Sequence, residues 1–90
     1  MEKLHFNVKI LGLVQGVNFR YYAKIKADEL DIKGFVKNEP DGSVYIEAEG
    51  ENDSLDRFVE WCKKGPRSAK VDRIEVKEEN YRGVNDFQVQ

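Results

Sequence analysis

Residues 12–20 join an alternating apolar stretch to a run with helical spacing, and their types suit the binding of an anion. The start of a helix attracts anions because its first N–H groups have no partner within the helix and its dipole is positive there. Arg20 falls in the first turn of the predicted helix, where its planar guanidinium can donate to two phosphate oxygens together. This segment therefore predicts a phosphate-binding loop. Its predicted ligands are the Arg20 guanidinium and the main-chain amides of Gln15, Gly16, Val17, Asn18, Phe19 and Arg20.

The rest of the chain predicts the elements that hold this loop in place. Apolar and polar residues alternate over the strands, whereas apolar residues recur at helical spacing over the helices. In chain order, these patterns predict a strand at 4–10, a helix at 19–30, strands at 31–38 and 43–49, a helix from cap residues at 52–54 to residue 64, and short strands around 74–76 and 87–89. Pro40 and Gly42 predict a turn that joins the second and third strands into a hairpin. The chain thus predicts one domain over residues 1–90.

This order of elements is that of a ferredoxin-like α+β fold, βαββαβ, with two helices on one face of an antiparallel sheet and a short fifth strand. In this plan the first and second strands run parallel with the third between them, so both end at the same edge of the sheet. The phosphate loop leaves the first strand there, and Asn38 ends the second strand roughly 10 Å away. The Asn38 amide can both accept and donate hydrogen bonds. We therefore expect Asn38 to share one site with Arg20 and to hold a water molecule there.

Three short motifs are spread over most of the chain. The first motif comprises Gly12, Val14, Gln15, Gly16, Val17, Phe19 and Arg20. The second motif comprises residues 34–38, 41–44 and 49–50, and the third comprises Gly65, Pro66, Ala69 and Val71. On these motifs the chain resembles the acylphosphatases, which split carboxyl–phosphate anhydrides. Asn18 departs from the resemblance, since the family varies at this position and often has a small residue there.

The resemblance implies the hydrolysis of small acyl phosphates, such as acetyl phosphate, carbamoyl phosphate or an acylated phosphoglycerate. It implies that Arg20 binds the phosphate and that Asn38 orients the attacking water, with inorganic phosphate or sulfate as a product-like ligand. It implies no metal ion and no cofactor. The chemistry agrees, because a carboxylate leaves without protonation. The transition state needs only fixed dipoles around the phosphoryl oxygens and a water molecule in line.

Composition limits the partners that we expect for the chain. Its 90 residues are 40% hydrophobic and 36% charged, with a formal net charge of -2, whereas general nucleic-acid binders are usually basic. The sequence contains no apolar run long enough to span a bilayer and does not begin like a secretory signal. Nothing in it suggests an obligate oligomer. We therefore expect a cytoplasmic monomer that binds a small molecule and has neither nucleic-acid nor membrane partners.

Two alternative functions share the predicted fold. Single-stranded RNA-binding modules have the same order of strands and helices, and residues 33–36 begin like their consensus, although Lys37 and Asn38 do not continue it. A non-catalytic module that binds a phosphoryl ligand would keep the loop without turnover. The presence of both Arg20 and Asn38 argues against this second alternative.

Four further residues of reactive or aromatic type receive structural roles. His5 lies on a predicted strand without a second histidine or a cysteine cluster nearby, so we expect it to be structural or solvent-facing. Cys62 lies on the apolar stripe of the second helix and predicts a buried, inert thiol. Tyr21 and Tyr22 follow Arg20, and we expect at least one of them to pack against the sheet or to line the mouth of the site.

Overall fold

Five strands form one sheet, against which two helices pack. The computed structural model describes residues 2–90 of the chain. Its strands are β1 (Lys3–Leu13), β2 (Lys33–Asn38), β3 (Val44–Glu51), β4 (Lys70–Glu79) and β5 (Phe87–Val89). Its helices are α1 (Phe19–Glu29) and α2 (Asn52–Lys64). The predicted ferredoxin-like α+β fold is confirmed.

The strands are arranged in the order β4-β1-β3-β2-β5. β3 pairs antiparallel with both β1 and β2, and β1 pairs antiparallel with β4, as the sequence predicts. β5 differs, because it runs parallel to β2 and makes the sheet mixed. β4 and β5 lie at opposite edges of the sheet, and residues 80–86 carry the chain from one edge to the other. β5 therefore runs toward the end of the sheet where β2 stops at Asn38.

The junction between α1 and β2 differs from the sequence prediction, which began the strand at Asp31. α1 ends at Glu29, and Asp31 takes a left-handed conformation with φ 57°. The main-chain N–H of Ile32 donates to the carbonyl of Ala27 at 2.8 Å, which closes the helix with a Schellman turn. The residues between helix and strand thus belong to the helix cap, and β2 begins only at Lys33.

The start of α2 differs from the sequence prediction, whereas its end agrees with it. Glu51 occupies the N-cap, so the predicted capping role of residues 52–54 is wrong. Asp53 lies instead in the first turn, where its negative charge suits the positive end of the dipole. The helix ends before Gly65, as predicted, and the N–H of Gly65 donates to the carbonyl of Trp61.

The core lies between the sheet and the helices. It comprises Val8, Ile10, Val14, Phe19, Ala23, Ala27, Ile32, Val36, Val44, Ile46, Ala48, Leu55, Phe58, Cys62 and Phe87. The small side chains of α1 within this set let that helix lie close to the sheet. The predicted burial of Cys62 is confirmed, and burial raises the pKa of its thiol above the usual range. The thiol therefore stays protonated and unreactive at neutral pH.

His5 is 1% exposed and lies between two carboxylates of β3. Its Nδ1 is 2.8 Å from Oε2 of Glu49, and its Nε2 is 3.0 Å from Oε1 of Glu47. The Glu49 carboxylate also accepts hydrogen bonds from the main-chain N–H groups of Arg82 and Val84. His5 is therefore structural, and the alternative expectation that it faces solvent is wrong. Together with Glu49 it holds residues 80–86 against the sheet.

The hydrogen bonds around Glu49 make the stability of the fold depend on pH. Burial by itself raises the pKa of Glu49, but hydrogen bonds from Val84, Arg82 and His5 outweigh it and bring the pKa below its ordinary value of 4.5. The folded state therefore binds this proton less readily than the unfolded state. The stability that ionised Glu49 contributes is present above pH 4.5 and is lost as the pH falls below that value.

We expect Glu49→Gln to lower the free energy of unfolding at neutral pH by about 1–3 kcal/mol, because an amide replaces an acceptor of charge-assisted hydrogen bonds. We also expect the variant to lose less stability than the original chain between roughly pH 5 and pH 3. Urea unfolding across this range measures both effects, with Glu78→Gln at an exposed position of β4 as the control. An equally steep loss of stability in the Glu49→Gln variant would contradict the assignment.

Candidate active site

A pocket of about 470 Å³ lies at the end of the sheet where β1 and β2 stop. It is lined by Val14, Gly16, Asn18, Phe19, Arg20, Tyr21, Asn38 and Val89. The loop after β1, the last residue of β2 and the end of β5 meet there, because β1 and β2 run in the same direction. The structure therefore brings Arg20 and Asn38, the two predicted catalytic residues, to one pocket.

The loop before α1 contains two residues with positive φ angles. Gly16 has φ 73° and Asn18 has φ 64°, both in the left-handed region. Asparagine tolerates this region better than most residues do. Left-handed residues between right-handed ones turn neighbouring N–H groups toward a common point, which is the geometry of main-chain anion nests. Helix α1 begins directly afterwards at Phe19, so its first N–H groups lie beside the same loop.

Of the six predicted phosphate-binding residues, Gly16, Asn18, Phe19 and Arg20 line the pocket. The side chain of Phe19 is buried in the core against Trp61, with ring centroids 5.3 Å apart, so only its main chain is available to a ligand. Val17 also packs against the core.

The side chain of Gln15 binds main-chain atoms of another segment. Its Nε2 donates to the main-chain oxygen of Glu39 at 2.8 Å and to that of Ser43 at 2.9 Å. Both acceptors belong to the turn between β2 and β3. Both hydrogens of the Gln15 side-chain amide are engaged there, and the predicted phosphate ligand of this residue, its main-chain amide, is a separate group.

The Arg20 guanidinium lies between the pocket and the end of β5. Its Nη1 donates to the main-chain oxygen of Gln90 at 2.7 Å, while the N–H of Gln90 donates to the carbonyl of Val36. A guanidinium has five N–H donors in a rigid plane. One contact with the main chain can therefore orient the group and still leave a two-pronged edge for a phosphate.

Asn38 is exposed at the pocket and is followed by a tightly bonded turn. The N–H of Glu39 donates to the carbonyl of Ser43, and that of Gly42 donates to the carbonyl of Glu39. The carboxylate of Asp41 accepts hydrogen bonds from Ser43, which together with its ion pair to Lys9 lower the pKa of Asp41 below the usual range. The predicted turn is thus present, and it fixes the main chain on one side of Asn38.

Sequence analysis missed two apolar residues of the pocket, Val14 and Val89. Val14 belongs to the first sequence motif. Whether its side chain faces the pocket depends on the direction in which the chain leaves β1, which the sequence pattern does not give. Val89 reaches the pocket only because β5 pairs parallel with β2. Tyr21 is 61% exposed at the rim and stands edge-to-face with Tyr22, so the expectation that one of these tyrosines lines the mouth is confirmed.

The exit from β1 depends on a close approach of two strands. The register between β1 and β4 shifts between Leu11 and Gly12, and Gly12 has φ 135°. A Cβ atom at this position would lie 2.3 Å from the carbonyl oxygen of Lys70. Only glycine therefore fits at this shift in register, one residue before β1 ends at Leu13.

The comparison with known proteins decides the family. Residues 6–89 match the family model described as Acylphosphatase. The chain is 50% identical over 78 residues to an acylphosphatase of Mannheimia succiniciproducens. This match covers 87% of this chain and 84% of that protein. The chain belongs to the acylphosphatase family. An acylphosphatase of Nocardioides sp. is 45% identical over 83 residues, covering 92% of this chain and 84% of that protein.

A solved acylphosphatase structure has the same fold. The crystal structure of the acylphosphatase from Bacillus subtilis has a TM-score of 0.94 and 40% sequence identity, and the match covers 97% of this chain and 98% of that one. The resemblance noted from the motifs is thereby confirmed, and the family and its structures support acylphosphatase activity. They do not favour an RNA-binding or non-catalytic module.

Residues 2–90 contain two helices, α1 and α2. Within that range, neither helix is long and apolar enough to cross a membrane. The same residues contain no group of three or more histidine, cysteine, aspartate or glutamate side chains placed to hold a metal ion.

We expect Gly12→Ala to lower the free energy of unfolding by at least about 3 kcal/mol, because the new methyl group would overlap main-chain atoms of β4. Gly16→Ala is the matched comparison, since its φ of 73° is also positive but an added Cβ would meet nothing within 4 Å. We expect this second variant to lose about 1–2 kcal/mol from conformational strain alone. Urea unfolding measures both losses, and equal losses would contradict the steric explanation.

Proposed function

We propose that the protein hydrolyses the carboxyl–phosphate anhydride bond of small acyl phosphates by in-line attack of water in the pocket at the end of β1 and β2. The observation that carries this proposal is that Arg20 and Asn38, which come from different elements, line one pocket in a chain of the acylphosphatase family. The products are a carboxylate and inorganic phosphate. The chemistry needs no general acid, because the carboxylate leaves without protonation.

In this proposal the phosphoryl group lies between the main-chain N–H groups of the loop and the guanidinium of Arg20. The left-handed conformations of Gly16 and Asn18 and the start of α1 support this placement, since each directs N–H groups toward an anion. Charge in the transition state spreads over the equatorial oxygens of the phosphoryl group. Fixed donors around these oxygens stabilise that charge without reorganisation during the reaction. Inorganic phosphate and sulfate should bind in the same place as product-like ligands.

Asn38 is proposed to hold the attacking water. Its amide can accept a hydrogen from the water and donate to a phosphoryl oxygen, which sets the direction of attack. The eight residues that line the pocket include neither a carboxylate nor an imidazole. We therefore assign the proton of the water to a phosphoryl oxygen of the substrate rather than to a side chain.

The proposed substrates are small acyl phosphates of the acetyl phosphate, carbamoyl phosphate or acylated phosphoglycerate type. Val14, Tyr21 and Val89 give the pocket an apolar side that suits the acyl group. The formal net charge of -2 supports the proposal that nucleic acid is not a partner. A monomeric state and a cytoplasmic location stay predictions from the sequence, as does activity without metal ion or cofactor.

We expect Arg20→Ala and Arg20→Lys each to lower kcat/KM for benzoyl phosphate by about 10²–10³ or more. Lysine should fail because a point charge cannot replace a planar fork that donates two parallel hydrogen bonds. Turnover is measured with a chelator present, and circular dichroism verifies that each variant is folded. Near-original activity in the lysine variant would show that charge alone suffices at this position.

We expect Asn38→Ala to lower kcat by about 10²-fold while the inhibition constant for inorganic phosphate changes little. The reason is that the variant keeps the phosphate-binding loop and loses the group that directs the water. Steady-state hydrolysis of benzoyl phosphate with phosphate as a competitor gives both constants. An unchanged kcat would rule out the proposed role of Asn38.

A further inference from the structure

We infer that Gln15 is a positioning residue, which fixes the distance between Asn38 and the phosphate-binding loop. This inference rests on the proposed function, because it assigns Gln15 an effect on the water held by Asn38. Gln15 belongs to the loop that precedes α1, but its side chain reaches across to the turn after β2.

The contacts of Gln15 occupy both hydrogens of its side-chain amide. One bond of 2.8 Å ends on the carbonyl oxygen of Glu39, and the other, of 2.9 Å, ends on that of Ser43. Glu39 follows Asn38 directly in the chain, and Ser43, the residue before β3, is 2% exposed. The N–H of Glu39 in turn donates to the carbonyl of Ser43. Gln15 therefore binds the two residues that pair with each other on either side of the turn between β2 and β3.

The sheet leaves a gap that this contact bridges. β1 and β2 do not pair with each other, because β3 lies between them. The phosphate loop extends from β1, whereas Asn38 ends β2, so main-chain pairing connects them only through β3. Reaction rates are sensitive to displacements of about 1 Å between reacting groups. A direct link between loop and hairpin holds that spacing more firmly than the sheet alone.

The chemistry of the contact requires a donor of two hydrogens. A glutamate of the same shape has only acceptors when ionised, and it would face two carbonyl oxygens. Its repulsion would push the hairpin away from the loop. Alanine would leave both carbonyl oxygens without this partner. Both changes act on the hairpin side and leave the Arg20 side chain and the main-chain N–H groups of the loop in place.

The test compares kcat, KM and phosphate inhibition for the full chain with Gln15→Glu and Gln15→Ala. We expect kcat for benzoyl phosphate to fall by about 10–100-fold. We expect the inhibition constant for inorganic phosphate to change by less than about threefold, because its ligands remain. Asn80→Asp, which also replaces an amide by a carboxylate at an exposed position outside the pocket, is the control with unchanged kcat. Circular dichroism and thermal unfolding establish the folded fraction, and Gln15→Ala carries the test where Gln15→Glu does not fold.

A double-mutant cycle with Asn38→Ala separates positioning from simple loss of stability. If Gln15 acts through Asn38, adding Gln15→Ala to Asn38→Ala should lower kcat no further than about twofold. Losses that multiply would overturn the inference and leave the proposed function intact. A loss of phosphate inhibition equal to the loss of kcat would also overturn it, because Gln15 would then belong to the phosphate site. An Asn38→Ala variant with the original kcat would overturn the proposed role of Asn38 and this inference with it.

Discussion

β3 pairs antiparallel with both β1 and β2, and this double pairing determines where chemistry can occur in the molecule. Because both neighbours oppose β3, they run in the same direction and stop at the same end of the sheet. One of them continues into a loop and helix α1, and the other stops at Asn38. Neighbouring strands lie about 4.8 Å apart, so two spacings separate the end of β1 from the end of β2. Side chains can span this distance. The side-chain amide of Gln15 spans that distance, and the Arg20 guanidinium binds Gln90 after β5.

The charge distribution agrees with an anionic substrate despite the acidic balance of the whole chain. The formal net charge is -2, yet the lining of the pocket includes one arginine and no carboxylate. Glu47 and Glu49 lie near the opposite end of the sheet, where His5 and the main chain of residues 80–86 bind them. Local potential, rather than net charge, guides a small ligand into a cleft.

The sequence predicted those parts of the molecule that depend on local pattern or on strand topology. Alternation located the strands, and the order of elements predicted that Arg20 and Asn38 share one site. It could not predict the left-handed turn at Asp31, since aspartate is not the residue typical of that cap. The contacts of Gln15 and the buried pair of His5 with Glu49 were also missed, because each joins residues far apart in the chain. Only the three-dimensional register reveals such partners.

The pocket is complete only after β5 has paired with β2 during folding. Gly34 pairs with Phe87 across most of the chain, so closing this contact costs more loop entropy than closing the hairpin between β2 and β3. Val89 and the main-chain oxygen of Gln90 reach the pocket and Arg20 only after that pairing is made. A sheet of the other four strands would contain the loop and Asn38, but its pocket would lack Val89 and the contact of Arg20 with Gln90. Catalytic competence thus arrives only when β5 docks beside β2.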